Sequence, residues 1–369
     1  MQLRQKLTRV FSRVDRRVIY TGVLVVIAVA LFFMLGGLVP SLKAEAALYK
    51  LENGLVNFDS AKTFWDGEIS RKGSRAASEE LLELATAMDN ELNAHLFAHA
   101  FGKALFDKEG EGGFLFCPYN FNQGCPHQFI GEAIAHEGFG VVDRLFLSCK
   151  VAGSEPACMH SVGHGIMGYV GYTFESLERA LDECSSYNPS PRGGCMVGSM
   201  MEYNLRFLTG TGKDGVFHSR PYDKARPYDP CLSLSVRYQD SCAFALPTWW
   251  SNVAMGNLPI ERRFSELNAL CDGMSSRLER PCFEGLGVMA AYLSNGDIPD
   301  SVALCKAPGS SLLQQLFCTT GIVLHLHFWQ VPGYADVCEY ASLTESFLQY
   351  CQNYAAADVE HVDAVPLPQ

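Results

Sequence analysis

The fourteen cysteines of this 369-residue chain fall into seven successive close pairs: Cys117/Cys125, Cys149/Cys158, Cys184/Cys195, Cys231/Cys242, Cys271/Cys282, Cys305/Cys318 and Cys338/Cys351. The offset within a pair rises from 8 to 13, and the first cysteines of successive pairs step by 32, 35, 47, 40, 34 and 33 residues. Self-similarity of that period marks a repeat array, in which each unit buries its apolar face against its neighbours. Unit three reads LERALDEC, SSYNPSPRGG, CMVGSMMEYNLRFL, and unit five reads FSELNALC, DGMSSRLERP, CFEGLGVMAAYL. The flanks have helical apolar spacing, and the loops hold helix-breaking Pro, Gly, Ser and Asn. Each pair is therefore expected to clamp the neck of an αα-hairpin, with the second cysteine at the start of the second helix. Closing a loop of about ten residues this way stabilises by about 2–3 kcal/mol.

A small residue stands three places after the second cysteine in five units: Ser161, Gly198, Ala245, Gly285 and Gly321, with Gln128 and Tyr354 as exceptions. Small side chains there let backbones approach, which predicts that the second helices form a crowded inner layer. Residues 207–228, rich in Gly and Pro, account for the longest step and read as a long surface loop or lid.

Residues 18–39 read VIYTGVLVVIAVALFFMLGGLV, an uncharged run of 22 that can cross about 30 Å of hydrocarbon as a helix. Arg4, Lys6, Arg9, Arg13, Arg16 and Arg17 precede it. The positive-inside rule makes 1–17 a basic cytoplasmic tail, 18–39 a single transmembrane helix in the lipid bilayer, and the rest extracytoplasmic. Ala44-Glu45-Ala46 has the form of a cleavage site, but the apolar run exceeds the ~7–15 residues of a signal core, which favours an uncleaved anchor. Disulfides persist in that compartment. Zinc clusters of these cysteines are disfavoured, because no pair has the two-residue gap of a zinc knuckle. Residues 40–77 read as a stalk, 78–354 as the repeat domain opening with one helix from Ser78 to about Asp107, and 355–369 as a frayed tail.

The first 43 residues hold seven of the 29 basic groups and one of the 40 acids, leaving 22 against 39 beyond. A domain that acidic repels phosphate backbones, so nucleic acid is excluded as a partner.

Six of the ten histidines, His95, His99, His127, His136, His160 and His164, lie in the N-terminal part of the array. His95/His99 and His160/His164 are spaced i, i+4, which puts both rings on one helix face where they can ligate one ion. With the second cysteine as a ruler, His127 and His160 both stand two residues after it, and Glu132 and Glu202 both stand seven after it. Equivalent positions on adjacent inner helices face a common axis, so these side chains are expected to converge, while His136 turns away from His127. The alternative is a set of core histidines bonded to carbonyls or carboxylates. HExxH and GxSxG are absent, and no cysteine is left over as a nucleophile.

The sequence therefore predicts an all-α chain: about seven disulfide-stapled αα-hairpin repeats, an open solenoid or an α/α toroid, behind a transmembrane helix. The expected metal ligands are His95, His99, His160 and His164, with His127 behind them. Glu132 or Glu202 would serve as a further ligand or as the general base of a metal-dependent enzyme. The ion would be a divalent transition metal, zinc first and iron or copper next. The rival expectation is a non-catalytic scaffold binding a protein or envelope partner on its concave face.

Overall fold

The computed structural model describes residues 56–357 and Val365, apart from 89–90, 153–154, 188–189, 210–218, 307–308 and 329–330. The expected membrane span at 18–39 lies outside the described residues. Among the described residues no helix is long and apolar enough to cross a membrane, and the regular structure is entirely helical.

Among the described residues three α-helices precede the first cysteine: α1 (Phe58–Lys72), α2 (Ser74–Thr86) and α3 (Glu91–Glu109). The stretch expected as a stalk is thus helical from Phe58. Asn57 caps α1 by accepting from Ser60 N, and Gly73, at φ 83°, ends it. Trp65 docks it: the indole is fully buried and Nε1 donates to Phe97 O at 3.2 Å. The single helix expected from Ser78 is two helices; the sequence Asp89-Asn90 between them favours caps over helix interiors.

The array follows as α4 (Asn120–Glu137), α5 (Val142–Ala152), α6 (Glu155–Val170), α7 (Phe174–Tyr187) and α8 (Gly194–Leu205). It continues through α9 (Val236–Val253), α10 (Ile260–Asp272), α11 (Ser276–Leu293), α12 (Ile298–Cys305), α13 (Leu312–Phe328), α14 (Val337–Tyr340) and α15 (Glu345–Ala356). The inner helices pack in chain order, α3 on α4, then α6, α8, α9, α11, α13 and α15, while α5, α7, α10, α12 and α14 lie outside them. The ends of this row curve toward one another, so that Leu92 of α3 and Leu324 of α13 line one cavity.

All seven disulfides join nearest neighbours, with Cα–Cα distances of 5.2 to 5.7 Å. The second cysteine stands at the start of the inner helix in unit three, where Cys195 is the second residue of α8; Cys158 is the fourth residue of α6, and Cys125 follows the left-handed residues Phe121–Gln123 near the start of α4. In the last four units, the helix starts six residues before the second cysteine, at Val236, Ser276, Leu312 and Glu345. Ser235, Ser275, Ser311 and Thr344 stand at the residue before each start, seven before the cysteine. Ser311 and Gln314 form a capping box, Gln314 N donating to Ser311 Oγ at 3.2 Å and Ser311 N to Gln314 Oε1 at 2.8 Å.

Backbone contact joins the inner helices. A Cβ on Gly163 of α6 would drive into the carbonyl of Cys195, and one on Gly198 of α8 into the carbonyl of His160. The same arrangement recurs between α3 and α4, where Gly124 faces the carbonyl of His95 and Gly102 that of Cys125. A buried charge cluster ties the middle of the array: Arg192 Nε donates to Glu284 Oε2 at 2.7 Å and Arg280 Nε to Glu284 Oε1 at 2.8 Å.

Gly198→Val should destabilise the protein by about 1–3 kcal/mol or more through overpacking. Gly67→Ala, in α1 with open space around its Cα, should instead gain about 0.5–1 kcal/mol. Denaturant midpoints of the two variants beside the parent check the contrast.

Candidate metal centre

Five of the predicted histidines converge. His95 and His99 on α3, His127 on α4, and His160 and His164 on α6 are all buried. The His127 ring lies between the two pairs, its centroid 5.5 and 5.6 Å from His95 and His99, and 5.5 and 4.5 Å from His160 and His164. Two groups present nitrogens within 4.8 Å of one another, His95/His99/His127 and His127/His160/His164. His136 is exposed, against Phe106, and takes no part.

The proton positions follow from fixed partners. His95 Nδ1 lies 2.8 Å from the carbonyl oxygen of Phe121, which can only accept, so Nδ1 carries the proton. Lys103 Nζ pairs with Glu132 Oε2 at 2.7 Å, and Glu132 Oε1 accepts from Gln128 Nε2 at 2.7 Å. With its amide nitrogen committed to the carboxylate, Gln128 presents Oε1 to His99 Nδ1 at 3.1 Å, and that nitrogen must donate. Both Nε2 atoms are then bare, and they stand 3.0 Å apart. Two lone pairs at that distance repel unless a cation lies between them. At metal–nitrogen bonds of ~2.05 Å, the separation subtends about 95° at the ion.

The second pair follows the plan on its His164 side. Glu202, fully buried on α8, accepts from His164 Nδ1 at 2.9 Å, from Tyr172 Oη at 2.6 Å and from Leu208 N at 3.0 and 3.2 Å. His164 therefore turns Nε2 toward His160 Nε2, 3.1 Å away. Each pair is thus backed by the next inner helix, α3 by Gln128 of α4 and α6 by Glu202 of α8. Neither glutamate joins the ligand atoms: Glu202 stands behind His164, and Glu132 acts on His99 through Gln128.

His127 differs, because both its nitrogens are buried without a hydrogen-bond partner. Leaving such a group unsatisfied costs about 1–3 kcal/mol. It is positioned by a left-handed turn at Phe121, Asn122 and Gln123, with φ of 56°, 50° and 58°. Left-handed backbone costs about 1–2 kcal/mol per residue for side chains other than glycine. The bond from His95 to Phe121 O, and that from Ser161 Oγ to Gln123 Oε1 at 2.9 Å, oppose this strain.

The sequence did not name the residues that line the cavity beside the centre. The cavity holds about 200 Å³ and is bounded on one side by His95, His127 and His160. The rest of the lining includes residues two and six after later second cysteines, Val197, Phe244, Met201, Thr248, Val288 and Leu324, together with Arg192 and His325. The ruler that aligned the histidines would have named those register positions had it been carried through all the units. Phe207, at the start of the segment expected as a lid, was also missed; its ring lies 5.8 Å from His95 and 6.1 Å from His164.

Burial lowers every one of the five imidazoles, His95 to about 4, His164 to about 3, and His99, His127 and His160 well below their usual range. Burial also lifts Glu202 to about 7, against the Tyr172 hydroxyl and the backbone N–H groups of Leu208 and Phe207. An imidazole held below its unfolded pKa stabilises the fold above that pKa, and the contribution is lost as pH falls. Glu202 acts in the opposite sense but is one group against these five and His325, which burial also lowers to about 4. The metal-free protein should therefore lose stability steadily from about pH 6.5 to about 4, seen as a falling melting temperature; replacing His99 and His164 by Leu should flatten the slope.

No protein-family model, no curated protein and no solved structure matches the chain, so what the centre does has to be read from its own chemistry.

Proposed function

We propose that this is a membrane-anchored, extracytoplasmic helical-repeat protein that binds a transition metal through its buried histidines. The bare Nε2 atoms of His95 and His99, 3.0 Å apart with both protons directed outward, carry this reading. An all-imidazole donor set suits zinc first, then copper or iron. Glu202 and the Gln128–Glu132 pair serve as the outer partners that fix ligand tautomers, a role whose loss typically weakens metal affinity 10–100-fold. The seven disulfides support an oxidising compartment, and the basic flank and apolar run at 18–39 support the anchor.

Metal analysis of the purified full-length chain should find stoichiometric metal, lost in the His95→Ala/His160→Ala variant. A native chain that neither carries nor takes up metal would leave the scaffold reading in place. Gln128→Leu, which frees His99 to exchange tautomers, should weaken zinc binding about 10–100-fold without loss of fold, as read by competition with a chromophoric chelator and by circular dichroism.

A further inference from the structure

We infer that the centre holds two ions, bridged by His127 as an imidazolate between the His95/His99 pair and the His160/His164 pair. The inference rests on the metal-binding reading and adds to it the number of ions and the link between them. His127 belongs to both candidate groups, and both its nitrogens lie buried without a partner. One ion bound by one nitrogen would leave the other stranded in the core.

The two nitrogens of an imidazole direct their lone pairs apart, so one ring can serve one ion on each side. A neutral ring offers one lone pair and one N–H. Binding the second ion therefore breaks that N–H bond and forms a second metal–nitrogen bond, and the proton leaves to solvent. Neither nitrogen oxidation nor any electron transfer is involved. Each ion would then have two Nε2 atoms and one nitrogen of the bridge, and His95, His127 and His160 expose the centre to the cavity. Three protein ligands with a free position facing a pocket is the arrangement of a reactive site, whereas structural sites are closed by four.

Copper(II) is the probe, because imidazole binds it strongly and two bridged copper(II) ions couple magnetically. The full-length chain in detergent should take up two copper ions. The electron paramagnetic resonance signal per copper should be intact at one equivalent and strongly reduced at two, with about one further proton released on the second addition. His95→Ala/His99→Ala should bind one copper with an intact signal. His127→Ala should show no coupling at any loading. One copper per chain, or two with undiminished signals, overturns the bridge while leaving metal binding in place; no bound copper overturns both. The decisive readings come from the native chain and do not depend on any variant folding.

Discussion

The direct backbone contact between inner helices is the constraint on which the centre depends. Helices with side chains between them pack about 8–10 Å apart. At Gly163 against Cys195 and Gly198 against His160, the absence of a Cβ removes that spacing. α8 can then bring the Glu202 carboxylate to His164 Nδ1. The Gly124 contact with the His95 carbonyl does the same for α3 and α4, where Gln128 reaches His99. The disulfides act at the loop ends of the same helices. They limit how far the hairpins can open, but the glycines set the separation at which the histidines are held.

Close packing also removes water, and the proton arrangement is the response. Five imidazoles in a core must be neutral, and each neutral ring has one nitrogen that donates and one that does not. On His95, His99 and His164, the donating nitrogen is bonded outward, to Phe121 O, Gln128 Oε1 and Glu202 Oε2. What faces inward is bare. A core that only needed to satisfy its histidines could have paired them ring to ring. Here the ion pair of Lys103 with Glu132 fixes an amide, the amide fixes a tautomer, and the tautomer excludes that pairing.

The cysteine spacing made the hairpins, their disulfides and the inner layer legible, because cysteine offset and helical periodicity are local signals. The i, i+4 histidines and the His127/His160 register were legible for the same reason. The role of Gln128 was not: it occupied the position expected for a small residue, and only the fold brings it between His99 and Glu132. Nor could the left-handed turn at Phe121–Gln123 be read, since no glycine marks it. The early starts of the last four inner helices were readable in principle from Ser235, Ser275, Ser311 and Thr344, each seven residues before its cysteine.

The inequality of the units follows from the same register. In the first five units the residue two past the second cysteine is His127, His160, Val197, Phe244 and Glu284 in chain order, all buried; in the last two it is Thr320, also buried, and Asn353, which is exposed. Imidazoles at the first two positions line the cavity as candidate ligands, and Val197 and Phe244 add apolar lining to it. Glu284 is turned to Arg192 and Arg280 and ties α11 to the loop before α8. One position of the repeat thus carries three kinds of side chain: candidate ligand, wall and tie. The apolar lining would matter to a bound ion, because attraction between an ion and its donors weakens as water enters. The later units supply much of the apolar lining of the cavity, through Phe244, Val288 and Leu324, beside His325.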